Sequence, residues 1–220
     1  MPSWNIHTAH VERLLREHEA AELGIRDANC FLVGNFVPDI YVGYMVPHTT
    51  RTIDYRTTHL ADGAHIPVPR ADEFWERYVE GQGRVTDVVL GAWTHLVADH
   101  VYNAHTRAFL AAHGIEPGER ARVGKQSDFA TFGRTLDISL LAEVTPELVA
   151  QCAAFPQYAV AEPDVRGAVE VANRIVATNI AEHVAGEPAY SMLDAAFFAA
   201  AREEANDWMV RGLLAYAEGL

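Results

Sequence analysis

The sequence predicts an all-α protein folded as one helical bundle, and three observations carry that prediction. Apolar residues recur at helical spacing through most of the chain, no stretch alternates apolar and polar residues with the period of a strand, and the breaks between periodic segments fall at glycine, proline and capping residues. With 220 residues, half of them hydrophobic, the chain can bury a sizeable core in a single domain spanning residues 1–220.

The elements follow in order. Val11 to Leu23 sets Val11, Leu14, Leu15 and Leu23 among Glu, Arg and His, which reads as an amphipathic helix. Residues 27–37 read as a short apolar helix with Asp27 as its cap and Pro38 near its end. Residues 40–69 read as irregular, punctuated by Pro47, Pro67 and Pro69. Ala71 to Glu80 is a short helix broken by Gly81 to Gly83. Thr86 caps a long helix from Asp87 to Ala112, which Gly114 and Pro117 terminate. Arg120 to Leu141 reads as helical, and Thr145-Pro146-Glu147 pairs a cap with proline at the first helical position. Asp164 to Val184 carries a stripe of Val165, Val169, Ala172, Ile175, Val176 and Ile180, and Ser191 to Gly219 forms a last alanine-rich helix. Seven to nine helices are expected from roughly this pattern.

Composition narrows the function. A formal net charge of −13 repels phosphate backbones and anionic membranes, so neither nucleic acid nor a membrane surface is an expected partner. Bound cations would reverse that sign locally, which leaves room for a small anionic substrate. There is no apolar run long enough to span a bilayer and no secretory pattern at the start, so a cytoplasmic location is expected. Cys30 and Cys152 sit in apolar helical contexts and read as buried thiols. A homodimer through the C-terminal helices is compatible with the pattern.

Ten of the eleven histidines lie in the first 113 residues, which places any histidine chemistry in the N-terminal half. The centre of it is His95-Leu-Val-Ala-Asp99, with His105 six residues on. A four-residue step sets an imidazole and a carboxylate on one helical face, and these are ligand types for a divalent metal. The same pair could instead make a buried His–Asp hydrogen bond with no ion. His105 lies about 9 Å further along the axis than Asp99, at roughly 1.5 Å per residue, too far to join His95 on one ion. His7 is expected to precede the first helix as a capping or surface residue, with His10 its rival for any ligand role. Asp39 reads as a helix-terminating turn residue, and His59, with His48 and His65 nearby, lies in the irregular stretch. There is no H-E-x-x-H, C-x-x-C, P-loop, G-x-S-x-G or adjacent His-Asp pair.

Taken together these residues resemble the zinc-dependent phospholipase C and single-strand nuclease superfamily. That family is all-α and carries a zinc cluster that cleaves phosphoesters. Its helix motif of His, three residues, Asp, five residues, His is matched by His95, Asp99 and His105. Its earlier His, Asp and His look like His7, Asp39 and His59, so the ordered set covers residues 4–113. The resemblance implies one ion held by Asp39, His59, His95 and Asp99, a second sharing Asp99 and taking His7, and a third taking His105. It implies zinc, one to three ions, a small phosphoester as substrate, and Asp39 orienting or deprotonating the attacking water. The chain departs from the family in two places. Trp4 follows Met-Pro-Ser and so lacks the free amine of secreted members. No His with an acid four residues later completes the third site in the expected helix, where KQSDF offers Asp128 instead. A non-catalytic metal protein is therefore the alternative reading. On either reading the ligands concentrate in residues 1–130 and the helices of residues 160–219 act as scaffold.

Overall fold

The computed structural model describes residues 2–220. Ten α-helices form one domain, with no strand among the described residues. They are α1 (Trp4–Glu17), α2 (Ala28–Gly34), α3 (Val37–Ile40), α4 (Tyr55–Thr58), α5 (Ala71–Tyr78), α6 (Asp87–Ala112), α7 (Glu119–Gly133), α8 (Pro146–Ala153), α9 (Glu162–Ala181) and α10 (Ala195–Glu218). A 3-10 turn, Ala20–Leu23, follows α1.

The long helix α6 is the axis of the molecule. Its N-terminus is closed by Thr86, whose hydroxyl accepts the Val89 N–H, as its sequence predicts. Every residue from Asp87 to Asp99 is buried, because α2, α3, α5, α8 and α10 surround it. A helix apolar on all sides must be enclosed. His95 and Asp99 therefore sit where no bulk water reaches them.

The crossing of α2 over α6 is backbone against backbone. A Cβ on Gly91 would lie 2.1 Å from the Phe31 carbonyl oxygen, and one on Gly34 would lie 2.5 Å from the Val88 carbonyl oxygen. Only hydrogen fits at either position. The contact carries the chain after α2 down onto α6 one turn past Gly91, at His95.

Four elements differ from expectation, one of them α4, a single turn of helix inside the stretch 40–69 that reads as irregular. The first helix starts at Trp4, not Val11, and encloses His7 and His10, both buried. The apolar stripe that marks a helix begins at Val11, but residues 4–10 are buried nearly all round, so no polar face alternates with it. Pro38 does not end a helix: it stands in the first turn of α3, where its missing N–H costs nothing, and Asp39 follows inside that turn. The helix expected over residues 120–141 stops at Gly133, and the chain then runs without regular structure to Thr145.

Substituting Gly91→Ala should force α2 and α6 apart and destabilise the fold by about 3 kcal/mol, at the upper end of overpacking costs. Urea unfolding of the variant beside the wild type measures this; an unchanged midpoint would show that the two backbones can separate freely.

Candidate metal centre

Five of the seven residues singled out in the sequence meet in one place. His7 comes from α1, Asp39 from α3, His59 from the residue after α4, and His95 and Asp99 from α6. All are buried, and the three histidines and Asp99 have no exposed surface at all. Two groups of donors form, His7 with His95 and Asp99, and Asp39 with His59 and His95.

Each side chain is aimed by a neighbour. His95 Nδ1 lies 2.7 Å from the Asn35 carbonyl oxygen, so Nδ1 carries the proton and donates it. The Nε2 lone pair of His95 then points into the cluster. Thr58 Oγ1 lies 2.7 Å from His59 Nδ1 and donates to the Tyr55 carbonyl at 3.3 Å, which assigns it as acceptor from His59 and leaves His59 Nε2 bare as well. Leu60, left-handed at φ 50°, turns the chain directly after His59. The Trp4 indole donates to Asp39 Oδ2 at 2.9 Å, and the Tyr55 hydroxyl donates to Asp99 Oδ2 at 2.8 Å. Neither Trp4 nor Tyr55 was legible as a site residue from its side chain in sequence. Tyr55 also stacks on His59 with ring centroids 3.8 Å apart.

The result is an arrangement of acceptors facing acceptors. His59 Nε2 and His95 Nε2 are 3.0 Å apart. Asp39 Oδ1 lies 3.6 Å from His59 Nε2 and 3.9 Å from His95 Nε2, and Asp99 Oδ2 lies at the same two distances. Donors about 2.0–2.1 Å from a tetrahedral ion stand about 3.3–3.4 Å apart, so these separations bracket the edge of such a site. Asp99 Oδ1 faces the other way, 3.5 Å from His7 Nε2. The two oxygens of one carboxylate thus serve different imidazoles, as a bridging ligand does. Asp39 Oδ1, Asp99 Oδ1 and both ring nitrogens of His7 are buried with no hydrogen-bond partner. A single proton between His59 and His95 would satisfy that pair and leave all of these orphaned. The buried groups could hold a metal ion, and a cation would answer the two carboxylate oxygens and one nitrogen of His7.

Burial sets the protonation states. It lowers His7 to about 4 and His59 well below the ordinary histidine range, so both are neutral and able to ligate at pH 7. Burial raises Asp39. At Asp99 burial pushes the same way, but the imidazole of His7 beside it, with those of His95 and His59, outweighs burial and holds this carboxyl below the usual range.

His105 and Asp128 do not join the cluster. Six residues past Asp99 is about 120° around the helix, at 100° per residue, so His105 leaves the site and pairs with Glu204 of α10 at 2.8 Å. Asp128 is buried and its oxygens are taken: Oδ1 accepts the Ser191 N–H at 2.6 Å and hydroxyl at 2.9 Å, and Oδ2 accepts the Met192 and Leu193 N–H groups at 2.8 Å. It closes the loop before α10. A third ion taken by His105, with Asp128 rebuilding its other half, has no donor set among the described residues. His10 points to Tyr102, whose hydroxyl is 3.4 Å from its Nε2.

Above the cluster opens a cavity of about 630 Å³, lined by Asp39 and Tyr55 from the site and by residues of the 44–67 segment, α6 and α7. Asp39 is the only one of the five donor residues that lines it.

No family model, curated protein or solved structure matches this chain. What the centre does must come from its own geometry.

Two outcomes check these assignments. His105→Ala and Asp128→Ala should both keep the wild-type metal content by elemental analysis, while Asp128→Ala loses about 2–3 kcal/mol of stability through its charge-assisted bonds to the loop. The metal-free protein should also be acid-labile. His7 and His10 are held at about 4 and about 3 in the fold, below their unfolded 6.5, so the unfolded chain takes up more protons as pH falls. The stability they give is complete above pH 6.5 and declines from there toward pH 4 and below. Urea midpoints of chelated protein across that window should fall, and His10→Leu should flatten the decline.

Proposed function

We propose that the chain is a metal-dependent hydrolase of a phosphoester, with zinc as the ion, in the manner of the zinc-dependent phospholipase C type that its motif order resembles. The observation that supports this most is the set of orphaned, converging donors at the floor of a cavity large enough for a small substrate. Asp39, His59, His95 and Asp99 would hold one ion, and Asp99 with His7 a second. Bound divalent ions supply Lewis-acid polarisation of a phosphoryl oxygen and ionise water near neutral pH.

The residues themselves divide the remaining work. Asp39 is the donor that reaches the cavity, and its Oδ1 has no partner while Trp4 pins Oδ2. It is placed to orient an attacking water and accept its proton, and burial raises its proton affinity for that task. Tyr55 lines the cavity and fixes Asp99 through its hydroxyl, so it positions one ligand. The dry surroundings of α6 keep competing water away from the donors.

One observation favours a second reading, a metal that only stabilises the fold. His7, His59, His95 and Asp99 are fully enclosed, and a structural ion is also enclosed. Turnover separates the two.

Protein purified without chelator should contain zinc, at one or two ions per chain, and lose thermal stability when the metal is stripped. His95→Ala should lose both metal and turnover of aryl phosphate esters. Asp39→Asn should lower kcat by about 10²–10⁴-fold, the range for a lost general base. Metal-free protein with undiminished activity in His95→Ala would end the proposal; metal without turnover on a broad panel of phosphoesters would leave the structural reading.

A further inference from the structure

The sequence contains one lysine, Lys125, against sixteen arginines. The arginines spread over the surface, many in pairs one turn from an acid. Lys125 is different: it is 9% exposed, among the buried residues of α7, and lines the same cavity as Asp39. Among the described residues no carboxylate forms a salt bridge with it. Its ammonium stands 5.9 Å from the Phe129 ring centre, one turn along the helix, which restrains the head without neutralising it. Burial draws its affinity for a proton down. A buried cation without a counter-ion is costly unless something supplies one. The cavity is where that counter-charge can enter.

The rest of the lining fixes what else the occupant carries. Met45, Ile66, Leu110 and Phe129 present apolar surface around the opening, with Tyr44, 76% exposed, at its rim. Arg122, one turn before Lys125, also lines the cavity but is already paired with Glu119, so Lys125 is the unanswered cation there. A chain with a net charge of −13 thus sets its one lysine at a cavity and surrounds it with hydrocarbon.

We infer that Lys125 is the anion anchor of this cavity, holding a phosphate oxygen of an organic phosphate whose apolar group rests against Met45, Ile66 and Leu110. The inference rests on the metal-dependent reading of the centre for its second contact to the phosphate, and it adds the substrate class: a phosphate ester of a compact apolar alcohol. Lysine suits the role as a mobile point charge, able to follow the phosphate as it moves toward Asp39.

The test is calorimetric titration of zinc-loaded protein with inorganic phosphate, methylphosphonate and phenylphosphonate, run on the wild type, Lys125→Met, Lys125→Gln and Lys125→Arg. Metal content and thermal midpoint are measured on each. The neutral variants should keep their zinc and bind phosphate about 10- to 100-fold more weakly, the loss expected for one charge-assisted bond. Lys125→Arg should restore most of that affinity. Phenylphosphonate should bind wild type about tenfold more tightly than methylphosphonate, since burying a ring gains more than a kilocalorie per mole. Wild-type phosphate affinity in either neutral, folded, zinc-loaded variant overturns the anchor, and equal affinity for the two phosphonates overturns the apolar substrate class. The two proposals fail separately. Phosphate binding through Lys125 with no ester turnover removes the hydrolase reading and keeps the anchor; turnover with an unchanged KM in the neutral variants removes the anchor and keeps the hydrolase.

Discussion

Backbone meets backbone where α2 crosses α6, and the centre depends on that contact. With hydrogen alone at Gly34 and Gly91, the two helices approach until a Cβ would strike a carbonyl oxygen. The approach delivers the Asn35 carbonyl to His95 Nδ1 and fixes which nitrogen of that ring holds the proton. The side-chain amide of Asn35 is anchored in turn by Thr94, at 2.6 Å. Moving α2 outward by one methyl would leave His95 free to choose its tautomer, and the lone pair aimed at Asp39 and Asp99 would no longer be assured. The helix α3 follows α2 after two residues, so the same contact also sets where Asp39 stands.

The sequence made α6 legible from end to end, because its signals are local. A threonine cap, an unbroken apolar run and a glycine past the end bound it, and the four-residue step between His95 and Asp99 puts them on one face whatever surrounds the helix. The neighbours were harder to read because their positions depend on what encloses them. His7 lies in a stretch buried on every side, where helical periodicity has no polar face to contrast with. Asp39 follows a proline that can end one helix or begin another, and only the packing of α3 on α6 decides which. The order of His7, Asp39 and His59 along the chain suggested a common site; their convergence required the fold. Asp128 was misleading for the same reason, since its partners are amides of residues 191–193, some sixty positions away.

Electrostatically the molecule is inverted. Acidic groups dominate outside, many answered by arginine in exposed pairs such as Arg122 with Glu119 and Arg166 with Glu162, which contribute little to stability. Inside, two carboxylates face three imidazoles, and burial keeps His7 and His59 neutral. The fold therefore encloses carboxylate oxygens that its own side chains leave without a partner. Tyr55 and Trp4 each quench one oxygen by hydrogen bonding, and the remaining oxygens are directed at one another's neighbours, not at water.

The C-terminal helices look at first like passive support, yet the helices that carry His7 and Asp39 are tied to them. Asn5 of α1 donates to Asn179 of α9 at 2.9 Å, the Tyr41 hydroxyl after α3 donates to Asp164 at 2.8 Å, and Asp128 of α7 gathers the loop before α10. These ties are polar and at least partly buried, and each links residues more than sixty positions apart. The histidine-rich half is thus not a module that could be cut out and carried to another protein. Two of its donors, Asp39 and His59, stand on or beside helices of only four residues, which the surrounding fold must hold in place. Inheritance of this centre is inheritance of the whole chain: a lineage could lose a ligand by one substitution, but could not acquire the arrangement by borrowing a segment.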